Sequence, residues 1–239
     1  MLVSLSIVKY RRLLIPLALL AMAIHRIPLL LNKKCTFWKL MGCGKGGTFD
    51  LQPDFQQWAL LGVWKSEEDF TTFNNHSFIS KWWKLFTQER LTILSKPLVS
   101  HGKWDGKEVF INDKLSEYYN GPLVVLTRAT ISFSKLKEFW SNVDTVAETM
   151  KKAPGFITSF GIGEAPIFKQ ATISIWKDLE SMKAFAYSSK EHAEVIRKTK
   201  QRGWYKEELF ARFRLLSVSG SINGVDPIKE IRNDLNKTD

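Results

Sequence analysis

The sequence predicts an α+β fold made of two like halves, and three observations carry the prediction. Two stretches match when one is slid along the other: FWKLMGCGKGGTFDLQPDFQQWALLGVWKSEEDFTTF at Phe37 to Phe73, and FITSFGIGEAPIFKQATISIWKDLESMKAF at Phe156 to Phe185. They keep one register, because Trp64 to Trp176 (176 less 64) and Phe73 to Phe185 (185 less 73) both span 112 positions. Between them, 105–121 holds Asp-Gly, Asn-Asp and Asn-Gly-Pro, which break elements rather than continue them.

The elements follow in order. Leu2 to Tyr10 alternates like a strand, and the apolar run Leu13 to Ile24 after it reads as a helix covering a sheet. Lys9, Arg11 and Arg12 before that run resemble the start of a secretory signal, but His25-Arg26 interrupts the apolar stretch and no small-residue cleavage site follows, so the segment is read as part of the folded domain. Contact with a membrane surface stays open. Each repeat then reads as strand, Gly-x-Gly turn, a second strand ending in Trp, and a helix with an acidic start. Leu123 to Ile131 supplies the first strand of the second copy, and ELFARFRLL its last. Both halves become β-α-β-β-α-β, the ferredoxin-like arrangement, in the manner of a dimeric α+β barrel folded within one chain. The boundaries are 1–104 for the first half, 105–121 for the linker, 122–219 for the second half and 220–239 for a tail. Two such halves are expected to pack sheet to sheet around an apolar cavity.

Composition narrows the function. With 44% hydrophobic and 13% aromatic residues the chain can fill a large core. Cys35 and Cys43 fit neither a disulfide framework nor a zinc-ligand spacing, which suits a reducing cytoplasm. A net charge of +11 favours an anionic partner, such as a lipid headgroup surface or an acidic redox protein. The aromatic-basic strings KWWKLF and RGWYKE are read as packing at helix ends, so nucleic acid is set aside. Gly42 to Gly47 spells G-x-G-x-x-G, yet TFDLQP and another strand follow where a dinucleotide site needs a helix, so a tight turn is expected. No hydrolase triad order, H-E-x-x-H, EF-hand loop or Walker sequence is present, leaving oxidative or binding functions.

The histidines and arginines carry the chemistry. His192, Val195, Ile196 and Thr199 share one face of a helix, while Arg197, Lys198 and Lys200 point elsewhere. A lone inward histidine either satisfies a core hydrogen bond or serves as the single axial imidazole of a haem, which needs no second spaced ligand. His101, in SHGKWDGKEVF, competes for that role, its alternative being a loop histidine bonded to a turn. Arg212 and Arg214 fall on one face of a strand, a spacing that suits paired carboxylates such as haem propionates and equally suits an exposed edge. Arg128 interrupts a strand fit for burial and therefore needs an anionic partner.

The strings FWKLMGCGKG, ALLGVWKSEEDF, SHGKWDGKEVF, VVLTRATI, FGIGEAP, QATISIWKDLESMKAFAY and WYKEELFARF together resemble the spheroidene monooxygenase family, the acyclic-carotenoid 2-ketolases, from about Val3 to about Leu215. The resemblance implies a haem b-dependent monooxygenase that hydroxylates an allylic carbon near the end of a linear carotenoid and repeats the step until the gem-diol loses water to a ketone. It implies dioxygen and electrons from reduced ferredoxin, with His192 favoured over His101 as iron ligand and Arg128, Arg212 and Arg214 as propionate partners. Two other classes stay open: a non-catalytic haem- or lipid-binding module of the same fold, and a cofactor-free α+β barrel oxygenase.

Overall fold

In the computed structural model, residues 1–45, 52–111, 119–165, 167–188, 202–227 and 229 are described. Among these residues eight strands are formed: β1 (Leu2–Tyr10), β2 (Cys35–Gly44), β3 (Pro53–Trp64), β4 (Thr87–Gly102), β5 (Leu123–Ile131), β6 (Phe156–Ala165), β7 (Lys169–Trp176) and β8 (Tyr205–Ser221). The helices are α1 (Ile15–Ile24), α2 (Arg26–Leu31), α3 (Glu67–His76), α4 (Phe78–Phe86), α5 (Leu136–Lys151) and α6 (Leu179–Ser188). Every strand pairing is antiparallel, in the closed order β1-β3-β2-β6-β7-β5-β8-β4.

Each half contributes a four-stranded sheet, β4-β1-β3-β2 and β8-β5-β7-β6, and the sheets meet edge to edge. Trp64 pairs with Leu2 and Cys35, while Trp176 pairs with Leu123 and Phe156, so the two tryptophans close equivalent corners. Both are fully buried, and both indole N–H groups donate to a serine hydroxyl, Ser4 at 2.8 Å and Ser174 at 2.9 Å. The helices that follow are capped alike: the Ser66 hydroxyl accepts from the Asp69 N–H and the Asp178 carboxylate from the Ser181 N–H. Glu67, Glu68 and Asp69 sit at the N-terminal end of α3, where acidic side chains oppose the helix dipole.

Strand alternation divides the apolar residues into an inner and an outer set. One cluster drawn from all eight strands, including Leu5, Met41, Leu61, Ile93, Leu126 and Ile173, fills the barrel interior. Trp104, Val109 and Phe110, from the segment between the halves, belong to the same cluster. The apolar cavity expected between the sheets is thus corrected to a packed core: eight strands enclose a bore about as wide as their own side chains.

A second correction concerns the glycine pairs. Gly42-Cys43-Gly44 and Gly161-Ile162-Gly163 lie within β2 and β6 rather than in turns, and they join the two sheets: Gly42 opposes Gly163 and Cys43 opposes Ile162. Large neighbours lie over the bare backbone. A Cβ on Gly42 would stand 3.8 Å from the Trp58 ring, and one on Gly163 would stand 3.1 Å from the Gln170 amide.

Candidate functional site

The register sorts the predicted arginines onto opposite faces of the second sheet. In β8, Ala211 and Phe213 face the interior, so Phe210, Arg212 and Arg214 face outward. Arg212 opposes Val125 on one side and Val99 on the other, and Arg214 opposes Leu123. His101 opposes Phe210 near the end of β4, which puts it on this outer face too, as an exposed strand residue rather than the loop residue expected. Arg128 does not join them. It shares the inward parity of Val124 and Leu126 and is 1% exposed.

The outer faces of the two sheets are built on matching registers but differ in residue type at several matched positions. At matched positions the first sheet places Trp38, Leu40, Trp58, Leu60 and Leu94 under its helices; the second places Ser159, Gly161, Gln170, Thr172 and Arg212. In the first half those side chains pack with Phe70, Phe73 and Trp83 into one continuous apolar layer. In the second half the described apolar residues fall into two clusters. Leu123, Val125, Trp176 and Met182 form one cluster, Ala129, Ile131, Phe139 and Trp204 another, and Thr127 between them on β5 is exposed. Midway along the second sheet these matched positions hold small and polar side chains where the first holds large apolar ones.

Two polar atoms on this face are buried with no hydrogen-bond partner among the described residues, Arg212 Nε and Thr172 Oγ1. A buried guanidinium N–H left unmatched costs about 1–3 kcal/mol, so an acceptor brought by a ligand would be strongly held. Nearby, Arg214 Cζ lies 6.0 Å from the centre of the Tyr119 ring, whose hydroxyl donates to the Pro122 carbonyl at 2.9 Å. A cavity of about 440 Å³ separates α5 from α6, lined by Thr145, Glu148, Lys152, Ala184 and Phe185. His192 belongs to 189–201, after α6, and lies outside the described residues.

Arg128 anchors a different assembly, at one mouth of the barrel. Its guanidinium pairs with Glu207, with Glu164 at 3.3 Å and with Asp105 at 3.6 Å, and stacks 5.5 Å above the Trp104 ring. Lys39 pairs with Glu164 at 2.6 Å and with Asp105, and Lys169 reaches Asp105 at 3.2 Å. The Trp104 indole donates to Glu164 at 2.7 Å, and the Asp105 and Gly106 amides donate to Glu207 at 3.1 and 2.7 Å. Burial works against ionisation of Glu207, yet the Gly106 N–H and Arg128 hold its carboxyl below the usual range; Lys39 and Lys169 do the same for Asp105. Three cations meet three carboxylates, so the anionic partner that the sequence demanded for Arg128 is met within the chain. Lys39, Glu164, Lys169 and Glu207 escaped the sequence reading. Each stands at inward parity on its strand, and a buried arginine on the same barrel was the signal that could have singled them out.

Of the remaining histidines, His25 is buried at the α1–α2 junction, edge-on to Phe78, Trp82 and Trp83, and burial lowers its pKa to about 4. Its Nε2 has no hydrogen-bond partner among the described residues. His76 ends α3. Both cysteines are free and buried, and burial raises both thiols, Cys35 to about 11. Among the described residues no group of three or more metal-ligating side chains converges.

Comparison with known proteins agrees with this architecture. Residues 123–215, most of the second half, match a family model described as a domain of unknown function, DUF3291. The aldoxime dehydratases are similar in fold: two solved structures, one in complex with butyraldoxime, align with TM-scores of 0.68 and 0.64 at 12% identity, over 97% of this chain and 86% and 84% of theirs. Spheroidene monooxygenase of Rhodobacter capsulatus is 35% identical over 90% of this chain and 89% of its own length. The enzyme of the same name from Cereibacter sphaeroides is 35% identical over 87% of this chain and 63% of its own, and that from Rubrivivax gelatinosus 28% identical over 79% and 72%. Identity at that level over nine-tenths of both chains places the protein: it belongs to the spheroidene monooxygenase family, and it is a monooxygenase.

Proposed function

We propose that the chain is a haem b-dependent monooxygenase that oxidises the end region of a linear carotenoid, and that the haem lies on the outer face of the second sheet. The observation that carries the reading is the pair of buried polar atoms on this face, Arg212 Nε and Thr172 Oγ1, which have no hydrogen-bond partner among the described residues, set between two apolar clusters. The residues fit the group. Gly161, Thr172 and Thr127 leave a flat, shallow floor, and Leu123, Val125, Trp176 and Phe139 supply apolar walls. Arg212 and Arg214 are two positions apart on one strand face and suit two carboxylates. Arg128 is committed to the barrel mouth, so the propionate role falls to the outer pair.

His192 is assigned as the iron ligand, from its place in the chain directly after α6; His101, at the rim of the same face, is the competitor. Haem, when bound, supplies the activation of dioxygen. The chain's part is to hold the carboxylates through Arg212 and Arg214, to exclude water with the flanking clusters, and to present the polyene end to the open side. Each hydroxylation takes one dioxygen, two electrons and two protons and releases one water. Two rounds at one carbon give a gem-diol, which loses water to a ketone. A surplus of eleven positive charges suits an acidic electron donor such as reduced ferredoxin. The 112-residue register, the matched tryptophan corners and the matched helix caps support an origin by duplication, with the first half retained as scaffold.

The test is haem per chain in purified His192→Ala and His101→Ala, read from the Soret band. Loss in the first and retention in the second support the assignment, and a normal Soret band in His192→Ala sinks it. Co-expression in a lycopene-producing cell, followed by pigment analysis, tests the substrate class; unchanged pigment would refute it.

A further inference from the structure

The helical stretch Arg12–Leu31 is inside out for a helix on the surface of a globular domain. Its inward stripe is narrow and made of Ala18, Ala21, His25 and Leu29, which pack on the first sheet. Its outward face is also apolar: Leu13 is 92% exposed and Leu31 75%, with Leu19, Leu20, Ile27 and Leu30 exposed between them. By length and composition this stretch could cross a membrane, but the buried stripe holds it along the barrel wall. The adjoining α4 continues the patch. Phe78, Trp82 and Leu85 recur at i, i+4 and i+7; Phe78 and Trp82 flank His25, and Leu85 is 74% exposed.

The chain that carries the patch is basic, although Lys9, Lys34 and Lys39 are paired within the fold with Glu89, Asp69 and Glu164. From Met1 to Phe49 the chain has no Asp or Glu, while Lys9, Arg11, Arg12, Arg26, Lys33, Lys34, Lys39 and Lys45 are all basic. Those eight account for eight of the eleven surplus charges, so the remaining 190 residues carry 27 basic against 24 acidic groups. Arg11, Arg12, Arg26 and Lys33 border the exposed leucines directly along the chain, and Lys81 and Lys84 flank the stripe on α4. A large apolar face on a monomeric surface marks an interaction site. A second copy of this chain would bring the same positive rim against itself, whereas an anionic bilayer complements it.

We infer that α1, α2 and α4 form a membrane-docking face that seats about 30 Å of helix in the interface of an anionic lipid bilayer. The face serves the proposed function, since an apolar polyene resides in such a bilayer, but docking is read without turnover, and failure to dock leaves the monooxygenase reading standing.

The experiment is co-sedimentation of the full chain with vesicles of phosphatidylcholine containing phosphatidylglycerol, and with phosphatidylcholine alone, together with sedimentation equilibrium without lipid. The chain should pellet with the anionic vesicles, less so at high salt, and remain monomeric without lipid. Leu20→Glu/Ile27→Glu/Leu31→Glu should reduce partitioning at least about tenfold with an unchanged melting temperature. Arg12→Gln/Arg26→Gln/Lys33→Gln should weaken binding to the anionic vesicles specifically. Failure of the wild type to pellet with either vesicle would overturn the inference, as would a lipid-free dimer that the glutamate variant dissociates.

Discussion

Arg128→Met is expected to loosen the barrel without emptying the outer-face site. The methionine keeps the stem volume but removes a guanidinium that is 1% exposed and bonded to Glu207, Glu164 and Asp105. Removing one partner of a buried ion pair costs about 3–5 kcal/mol, because the other charge is left unmatched. Here Lys39 still reaches Glu164, and the Asp105 and Gly106 amides still reach Glu207, so the cost should fall near the lower end, about 3 kcal/mol. For a domain of this size that is roughly a 6–12 °C fall in melting temperature. Thermal melts of wild type, Arg128→Met, Glu207→Gln and the double variant form a cycle. The glutamine change should cost clearly less in the methionine background, where the carboxylate has lost its partner. Asp105 and Glu207 titrate below their unfolded values, so their contribution is complete above about pH 4.3 and lost as pH falls through the depressed folded values. Arg128→Met should flatten that acid limb. A loss under about 1 kcal/mol with additive singles would refute the reading of Arg128 as the centre of this assembly.

Three further outcomes are expected. Arg212→Ala should weaken haem binding by roughly 10- to 150-fold, the equivalent of one charge-assisted hydrogen bond of about 1.5–3 kcal/mol, with melting of the haem-free protein little changed; equal haem retention would exclude it as a carboxylate partner. Thr172→Leu, which restores the residue type that Leu60 provides in the first sheet, should preserve or raise stability while haem content falls, and a fully loaded variant would show that the face is not the site. His25→Leu should gain on the wild type as pH falls. Burial holds the folded imidazole near pH 4 against about 6.5 unfolded, so the wild type is at full strength above about 6.5 and loses on the order of 3 kcal/mol on the way down to 4. Urea midpoints at pH 7 and pH 4.5 measure the difference, and parallel curves would contradict it.

Much of the backbone was legible because its signals are local. Leu2–Tyr10 and Leu123–Ile131 read as strands from their local sequence and became β1 and β5 with the bounds expected, and the 112-residue register put Trp64 and Trp176 at equivalent corners. The glycine pairs misled, because a Gly-x-Gly in sequence looks the same whether the chain turns or a neighbour's indole lies over it; only the register with Trp58 and Gln170 tells them apart. The site was legible in its residue types but not in its grouping. Arg128, Arg212 and Arg214 are alike in sequence, and what separates them is even or odd parity on strands whose inward face is defined by pairing across the whole barrel. Equally, the partners of Arg128 come from β6, β8 and the inter-half segment, and those carboxylates in turn meet Lys39 of β2 and Lys169 of β7, a convergence that closure of the barrel creates.

The contrast between the two sheets explains how one backbone serves two ends. A sheet face under helices is stable when large side chains interdigitate there, and the first half follows that rule with Trp38, Leu40, Trp58 and Leu60. The second half departs from it at the same lattice points. There it places Thr172, Gln170 and an arginine whose buried Nε has no hydrogen-bond partner among the described residues. Orphaned polar groups of that kind persist where something else completes them. The fold is shared with aldoxime dehydratases at 12% identity, so the barrel alone does not select a reaction. On the proposed reading, selection rests on a handful of outward positions of β6, β7 and β8, where a few residues would make room for the haem. The first half can then keep its layer intact and turn its surplus apolar surface, on α1, α2 and α4, toward the medium from which an apolar substrate would come.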